Sequence, residues 1–439
     1  MSLVKKGLSD SKYYMLATAG NKVFGFLIIP ILARSVGVEG FATYDLFLLI
    51  SSIFHIFIIL GIDSGIAILL AESKNDDTKL SFYYTFSLII STSLLLCFSL
   101  IFGTVLIFVD ELFLLDRAIW IYIVLYVLFN MINYHTFNFL RWREKAKNAA
   151  FINLFSYVLG NGLGIIFLYF NGEIVAYFQG LIFGLFMGSI LSVYSAKEYI
   201  KNFKILDNSK ELLKELLKIS LPFVPNYLGG NLMQMMDRVV ILMLFGKYEL
   251  GLYAIIIKLA MIPQFIIGTI TSGFLPVMIN NYATEKGKKL IQTFFHLYII
   301  VIPISFLLVY NISDWLVSIF AGDEYMIVAY LVPIAIMSKL FVHSTQANSF
   351  GYTISRKTYQ IIYITFSSIF VNFIFSLSLG YFIGLEGIIL GTLIGGIFRT
   401  YYHTKYAEKL YRFDFSVKLL AIISISSFLL AIFSLKGIV

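Results

Sequence analysis

YFNGEIVAYFQGLIFG, residues 169–184, returns as YFIGLEGIILGTLIGG, residues 381–396. Both stretches open on Tyr-Phe-x-Gly. Gly180 and Gly184 of the first answer to Gly391 and Gly395 of the second, and Glu173 to Glu386. Asn161 and Asn372 stand upstream at matching places. A second pair, ILARSVGVEGFATY (31–44) and ILMLFGKYELGLY (241–253), aligns Gly37 with Gly246, Gly40 with Gly251 and Tyr44 with Tyr253. The separation is about 210 residues each time, so the chain reads as a duplication.

The surroundings of these motifs fix the class of the duplicated unit. Of 439 residues, 59% are hydrophobic and only 13% charged, with a mean hydropathy of +0.87. A soluble domain carries about 25% charged residues, so soluble, disordered and disulfide-stapled classes are excluded. Cys97 is the only cysteine, which rules out an intrachain disulfide or a thiolate metal cluster. Continuous apolar runs lie near 14–36, 41–71, 80–109, 116–140, 149–170 and 173–195. Six more lie near 216–246, 250–281, 290–311, 325–350, 358–381 and 382–404. They do not alternate in polarity, so they are helices and not barrel strands. Six spans separate the two copies, which gives both the same orientation. The expected fold is therefore an all-α integral membrane protein with twelve transmembrane helices, in two parallel six-helix lobes around a central cavity. A last run, Leu419–Leu435, is a thirteenth span or an interfacial helix. The expected divisions are a lobe at 1–196, a cytoplasmic linker at 197–215, a lobe at 216–404 and a basic segment plus extra helix at 405–439.

Basic residues orient the spans. With the N-terminus inside, the inner segments hold 25 of the 33 Lys and Arg, whereas the outer ones hold four: Arg34, Arg117, Lys247 and Lys436. This is the positive-inside pattern. It accounts for most of the net charge of +8, which needs no nucleic-acid partner. The opening MSLVKKGLSDSKYY has no cleavable apolar core and reads as a basic cytosolic tail. The outer loops are short and often acidic, as at Asp110-Glu111 and Asp323-Glu324, with no room for an outer catalytic domain.

Within the spans, Gly180/Gly184/Gly188 and Gly387/Gly391/Gly395 form small-residue stripes that let helices approach closely. Pro30 and the Pro222/Pro225 pair fall in the equivalent spans one and seven, where bends suit a gate. Ionisable groups inside a bilayer are costly and mark pathways or buried pairs. Arg238 and Lys258 are candidates for holding an anionic head group such as a diphosphate, with Lys22 and Arg34 nearer the span ends. Asp63, Asp237 and Asp45 are candidates for ion coupling or for ion pairs. The five histidines are scattered one per span without metal-ligand spacing, so neither metal nor cofactor is expected. No phosphate-binding G-x-x-x-x-G-K-[ST], G-x-S-x-G or H-E-x-x-H occurs.

The segment G-x-x-x-x-P-I-L-A-R-S-V-G-V-E-G-F-A-T-Y-D, Gly25 to Asp45, resembles the opening of Wzx-type polysaccharide flippases. So do L-P-F-V-P…D-R…G…G-L-Y, Leu221 to Tyr253, and N…G-Y-F-x-G-x-x-G, Asn372 to Gly387. These flippases belong to the multidrug/oligosaccharidyl-lipid/polysaccharide exporter superfamily. The resemblance implies movement of a polyprenyl-diphosphate-linked oligosaccharide from the inner to the outer leaflet by alternating access, as in O-antigen, lipopolysaccharide or capsule synthesis. No bond is made, so the protein is not an enzyme. It further implies a bacterial cytoplasmic (inner) membrane with membrane lipids around the chain, and a polysaccharide polymerase and a chain-length regulator as candidate partners. Arg34 and Asp45 fall where lipid II flippases of the superfamily also carry Arg and Asp. The chain lacks their further arginines early in the first span, where Lys22 stands alone, and this argues against a peptidoglycan-precursor role. The alternatives are a cation-coupled drug or metabolite antiporter of the same superfamily, or a membrane-embedded polysaccharide polymerase.

Overall fold

The computed structural model describes residues 3–72, 76–108, 115–143 and 145–436. The acidic pair Asp110-Glu111 lies outside the described residues. Among the described residues every regular element is helical. Where no water solvates the backbone, a helix satisfies its own N–H and C=O groups, and the long apolar runs take that form. The chain divides into two compact units, residues 1–228 and 229–439.

The first unit contains α1 (Leu3–Ile59), α2 (Ile62–Glu72), α3 (Asp77–Phe108), α4 (Arg117–Trp142), α5 (Ala146–Asn171), α6 (Ile174–Ser195), α7 (Lys197–Lys201) and α8 (Ser209–Ser220). A 3-10 turn, Leu221–Phe223, leads into α9 (Val224–Leu244), which carries the chain from one unit to the next. The second unit continues with α10 (Lys247–Asn281), α11 (Glu285–Tyr310), α12 (Ser313–Phe320), α13 (Val332–Ser344), α14 (Phe350–Ile354), α15 (Tyr359–Leu410) and α16 (Val417–Lys436). Ten helical segments among the described residues are long and apolar enough to cross a membrane. Two of them are double. The first breaks at Gly37, and α15 breaks at Ile383–Gly384. The final apolar run forms α16, 20 residues long.

Span seven differs from the sequence expectation in both limits and character. Residues 216–220 belong to the amphipathic α8, and α9 begins only at Val224. Its 21 residues include Asn226, Asn231, Gln234, Asp237 and Arg238, so it is long enough to span yet falls outside the ten apolar segments. Pro222 and Pro225 do not bend the middle of a span. They sit in the 3-10 turn and in the first turn of α9, where a missing N–H leaves no hydrogen bond broken. Pro30 does lie inside α1. Span two is likewise interrupted. Leu60 and Gly61 both have positive φ (50° and 69°), which ends α1 and starts α2. A Cβ at Gly61 would meet the Ser220 carbonyl oxygen at 2.5 Å, so the break receives the end of α8.

The polar stretch after α6 is packed into the first unit. Leu212 and Leu216 of α8 join a buried cluster with Ile62, Ile66, Leu69 and Leu70 of α2 and with Leu80, Phe82, Tyr83 and Tyr84 of α3. The unit therefore runs on to Leu228, past the polar linker where the sequence suggested a boundary.

The duplication recurs in the backbone. Gly37 and Gly246, paired by sequence, both combine positive φ with extended ψ (66°, −175° and 108°, −159°) at the turn into the next helix. Such a conformation favours glycine. The two glycine stripes also seat equivalent hairpins. In the first, a Cβ at Gly180 would lie 2.2 Å from the Gly164 nitrogen, and one at Gly184 2.2 Å from the Gly160 Cα. In the second, Gly391 faces Ser376 and Gly395 faces Asn372. Asn161 and Asn372 are both buried beside these contacts.

Candidate functional site

Among the described residues, each unit holds a cluster of polar side chains that includes charges singled out by the sequence. In the first it centres on Asp63. Because the chain breaks at Leu60–Gly61, Asp63 lies in the first turn of α2, where the helix dipole favours a carboxylate. Tyr134 of α4 donates to Asp63 Oδ2 at 2.8 Å, and Tyr227 of α9 donates to the same oxygen at 3.3 Å. Ser64 Oγ and Tyr227 Oη are 2.7 Å apart. Asp63 Oδ1 is buried without a hydrogen-bond partner. His55 packs edge-on against Tyr134, with ring centroids 4.9 Å apart. One turn away, His135 Nε2 and Ser91 Oγ are 2.9 Å apart, and Ser91 also donates to the Ile58 carbonyl.

The second cluster centres on the adjacent pair in α9. Asp237 is wholly buried and Arg238 is 5% exposed. Tyr253 of α10 donates to Asp237 Oδ2 at 2.5 Å. Arg238 turns the other way: Nη1 donates to the Gln234 carbonyl one turn back, and its guanidinium lies 5.9 Å from the centre of the Tyr253 ring. Neighbouring positions on a helix diverge by about 100°, and Tyr253 touches both only because its ring and hydroxyl are far apart. Lys258 lies about one and a half turns further along α10, half-buried.

The other sequence candidates are spread more widely. Lys22 and Arg34 of α1 are exposed, and Asp45, beyond the Gly37 break, is buried. Three hydroxyl partners, Tyr134, Tyr227 and Ser64, escaped sequence reading because single tyrosines and serines are common in spans. Arg399 is a further basic residue that the sequence did not single out. It lies inside the second arm of α15, half-buried. Its Nη1 is 2.8 Å from Met233 Sδ of α9, and its Nε is buried without a hydrogen-bond partner. No group of three or more metal-ligating side chains occurs among the described residues.

The sequence of residues 8–282, more than half of the chain, matches the family model described as polysaccharide biosynthesis protein. The chain belongs to that family. An uncharacterized membrane protein of Haemophilus influenzae is 24% identical to this family member over 347 residues, 77% of this chain and 80% of the relative. Two solved structures share the fold. An inward-facing multidrug resistance MATE family transporter of the MOP superfamily superposes with a TM-score of 0.69 at 15% identity, covering 90% of this chain and 95% of the other. The lipid II flippase MurJ in an inward closed conformation gives 0.65 at 17%, covering 96% and 92%. This polysaccharide biosynthesis protein is thus a multi-pass membrane protein with the architecture of the exporter superfamily.

Proposed function

We propose that the chain is a flippase that carries a polyprenyl-diphosphate-linked oligosaccharide across the membrane, as in O-antigen or capsule synthesis. The observation that carries the reading is the Asp237-Arg238 pair, buried in a spanning helix of a polysaccharide biosynthesis protein. An arginine held inside a membrane protein needs a reason, and a diphosphate is a ligand that its planar fork suits. Arg238 and Lys258 would engage the diphosphate as the helices rearrange, with Lys22 and Arg34 meeting it near the ends of the path. Asp63, Asp237 and Asp45 would couple the cycle to an ion gradient. Pro30 and the Pro222/Pro225 junction would be the points where helices reshape. Transport of this kind makes and breaks no bond. The basic-residue asymmetry supports a cytoplasmic N-terminus in a bacterial inner membrane.

A cation-coupled antiporter is the second reading. It is favoured by the Asp63 carboxyl with its unpartnered oxygen. One reconstitution separates the two. Vesicles containing the purified chain should move a fluorescent polyprenyl-diphosphate oligosaccharide from a protected to an exposed leaflet faster than empty vesicles. Arg238→Ala should abolish this while the protein remains folded and inserted, and Asp63→Asn should remove its dependence on an imposed pH gradient. Full activity in both Arg238→Ala and Lys258→Ala would discard the diphosphate role. Efflux of a small organic cation without lipid movement would establish the antiporter instead.

A further inference from the structure

The helix α8 has an arrangement that its connecting role does not require. At about 100° per residue, its side chains fall into four sectors in order around the axis. Leu212, Leu216 and Ser220 form the packed sector, buried against α2. Next come Leu213, Leu217 and Leu221, the first two half-buried and the last 46% exposed. Then follow Lys210, Lys214 and Lys218, all exposed, and beyond them Glu211 and Glu215, also exposed. The leucine and lysine sectors adjoin along one open face made by those six side chains. Just before the helix, Ile205 is 81% exposed.

Packed, apolar, basic, acidic is the order required of a helix lying in a bilayer surface. Leucines reach the acyl layer, ammonium groups sit at the depth of the phosphates on apolar stems, and carboxylates face water. A helix that only packed on protein and met water would gain nothing from a leucine stripe beside its lysines. The spacing of three lysines at successive turns gives a row of flexible point charges along an open face. Such a row suits the phosphates of bilayer lipids and lacks the walls of an enclosed substrate site.

We propose that α8 is a binding site for anionic phospholipid of the surrounding bilayer. Lys210, Lys214 and Lys218 take the head-group phosphates, and Leu213, Leu217 and Leu221 lie against the acyl chains. The inference is independent of what the protein transports.

Two measurements on the full chain test it. In a Cys97→Ser background, a fluorophore on Leu217→Cys is placed in vesicles whose lipids carry brominated acyl chains. It should be quenched, whereas the same label on Glu211→Cys should not. Equal behaviour at the two positions overturns the orientation. By native mass spectrometry, the chain should retain phosphatidylglycerol in preference to phosphatidylcholine. The variant Lys210→Gln/Lys214→Gln/Lys218→Gln should lose that preference at least several-fold, and Glu211→Gln/Glu215→Gln should keep it. Undiminished preference in the lysine variant overturns the phosphate contact. The quenching experiment leaves the lysines in place, so it decides the orientation even where the triple variant folds poorly.

Discussion

At the scale of single residues, the half-buried Asp63 and the wholly buried Asp237 are held differently. Asp63 takes both its hydrogen bonds through Oδ2, from tyrosines of two other helices, and Ser64 supports one of those tyrosines. Asp237 is wholly buried and has Tyr253 as its one hydroxyl donor among the described contacts. A lost hydrogen bond to a charged group costs about 1.5–3 kcal/mol, against about 1 kcal/mol for an ordinary one. Tyr227→Phe leaves Asp63 still bonded to Tyr134, whereas Tyr253→Phe strips Asp237 of that donor. Tyr253→Phe should therefore lower the thermal midpoint in detergent clearly more than Tyr227→Phe. Equal midpoints would mean that Asp237 is satisfied by other means. The sequence showed the carboxyls as isolated charges in apolar runs. It did not show their partners, because hydroxyl donors from α4, α9 and α10 meet them only through packing.

At the scale of elements, helix hairpins are built on small residues. α5 and α6 touch along Gly160, Gly164, Gly180 and Gly184, where an added Cβ has no space. At Gly162, on the same helix, nothing lies within 4 Å of such a Cβ. Overpacking a tight contact costs about 1–3 kcal/mol. Gly184→Ala should reduce the yield of folded protein or its thermal midpoint, and Gly162→Ala should leave both unchanged or slightly higher, since alanine is the better helix former. Size-exclusion profiles and thermal unfolding of the two variants check this directly. The stripe itself was readable from spacing. Which neighbour it meets was also implied, since α6 follows α5 through a short turn at Gly172. The 3-10 junction at Leu221–Phe223 was less readable. There Ser220, Leu221 and Val224 all keep helical backbone angles, so a reading by runs merges α8 with α9.

At the scale of the whole molecule, the duplication and the charge asymmetry make a joint prediction about topology. Six spans between the copies place Glu173 and Glu386 on one side of the membrane and Asn202 on the other. In a Cys97→Ser background, a membrane-impermeant thiol reagent should label Glu173→Cys in intact cells and Asn202→Cys only after permeabilisation. Labelling of both from one side would refute the orientation read from the basic residues.

The sequence by itself determined the class, an all-helical membrane protein of many apolar spans with ionisable groups among them. This follows from periodicity and from the cost of placing polar groups in hydrocarbon, which acts locally along the chain. The tertiary structure decided where the chain breaks within spans, as at Leu60–Gly61, where the end of α8 packs against the break. It decided that Arg238 donates to its own helix while Asp237 accepts from another, and that Arg399 of α15 meets Met233 of α9. Those contacts between helices depend on which side chains packing brings together, and the order of residues along one helix does not encode them.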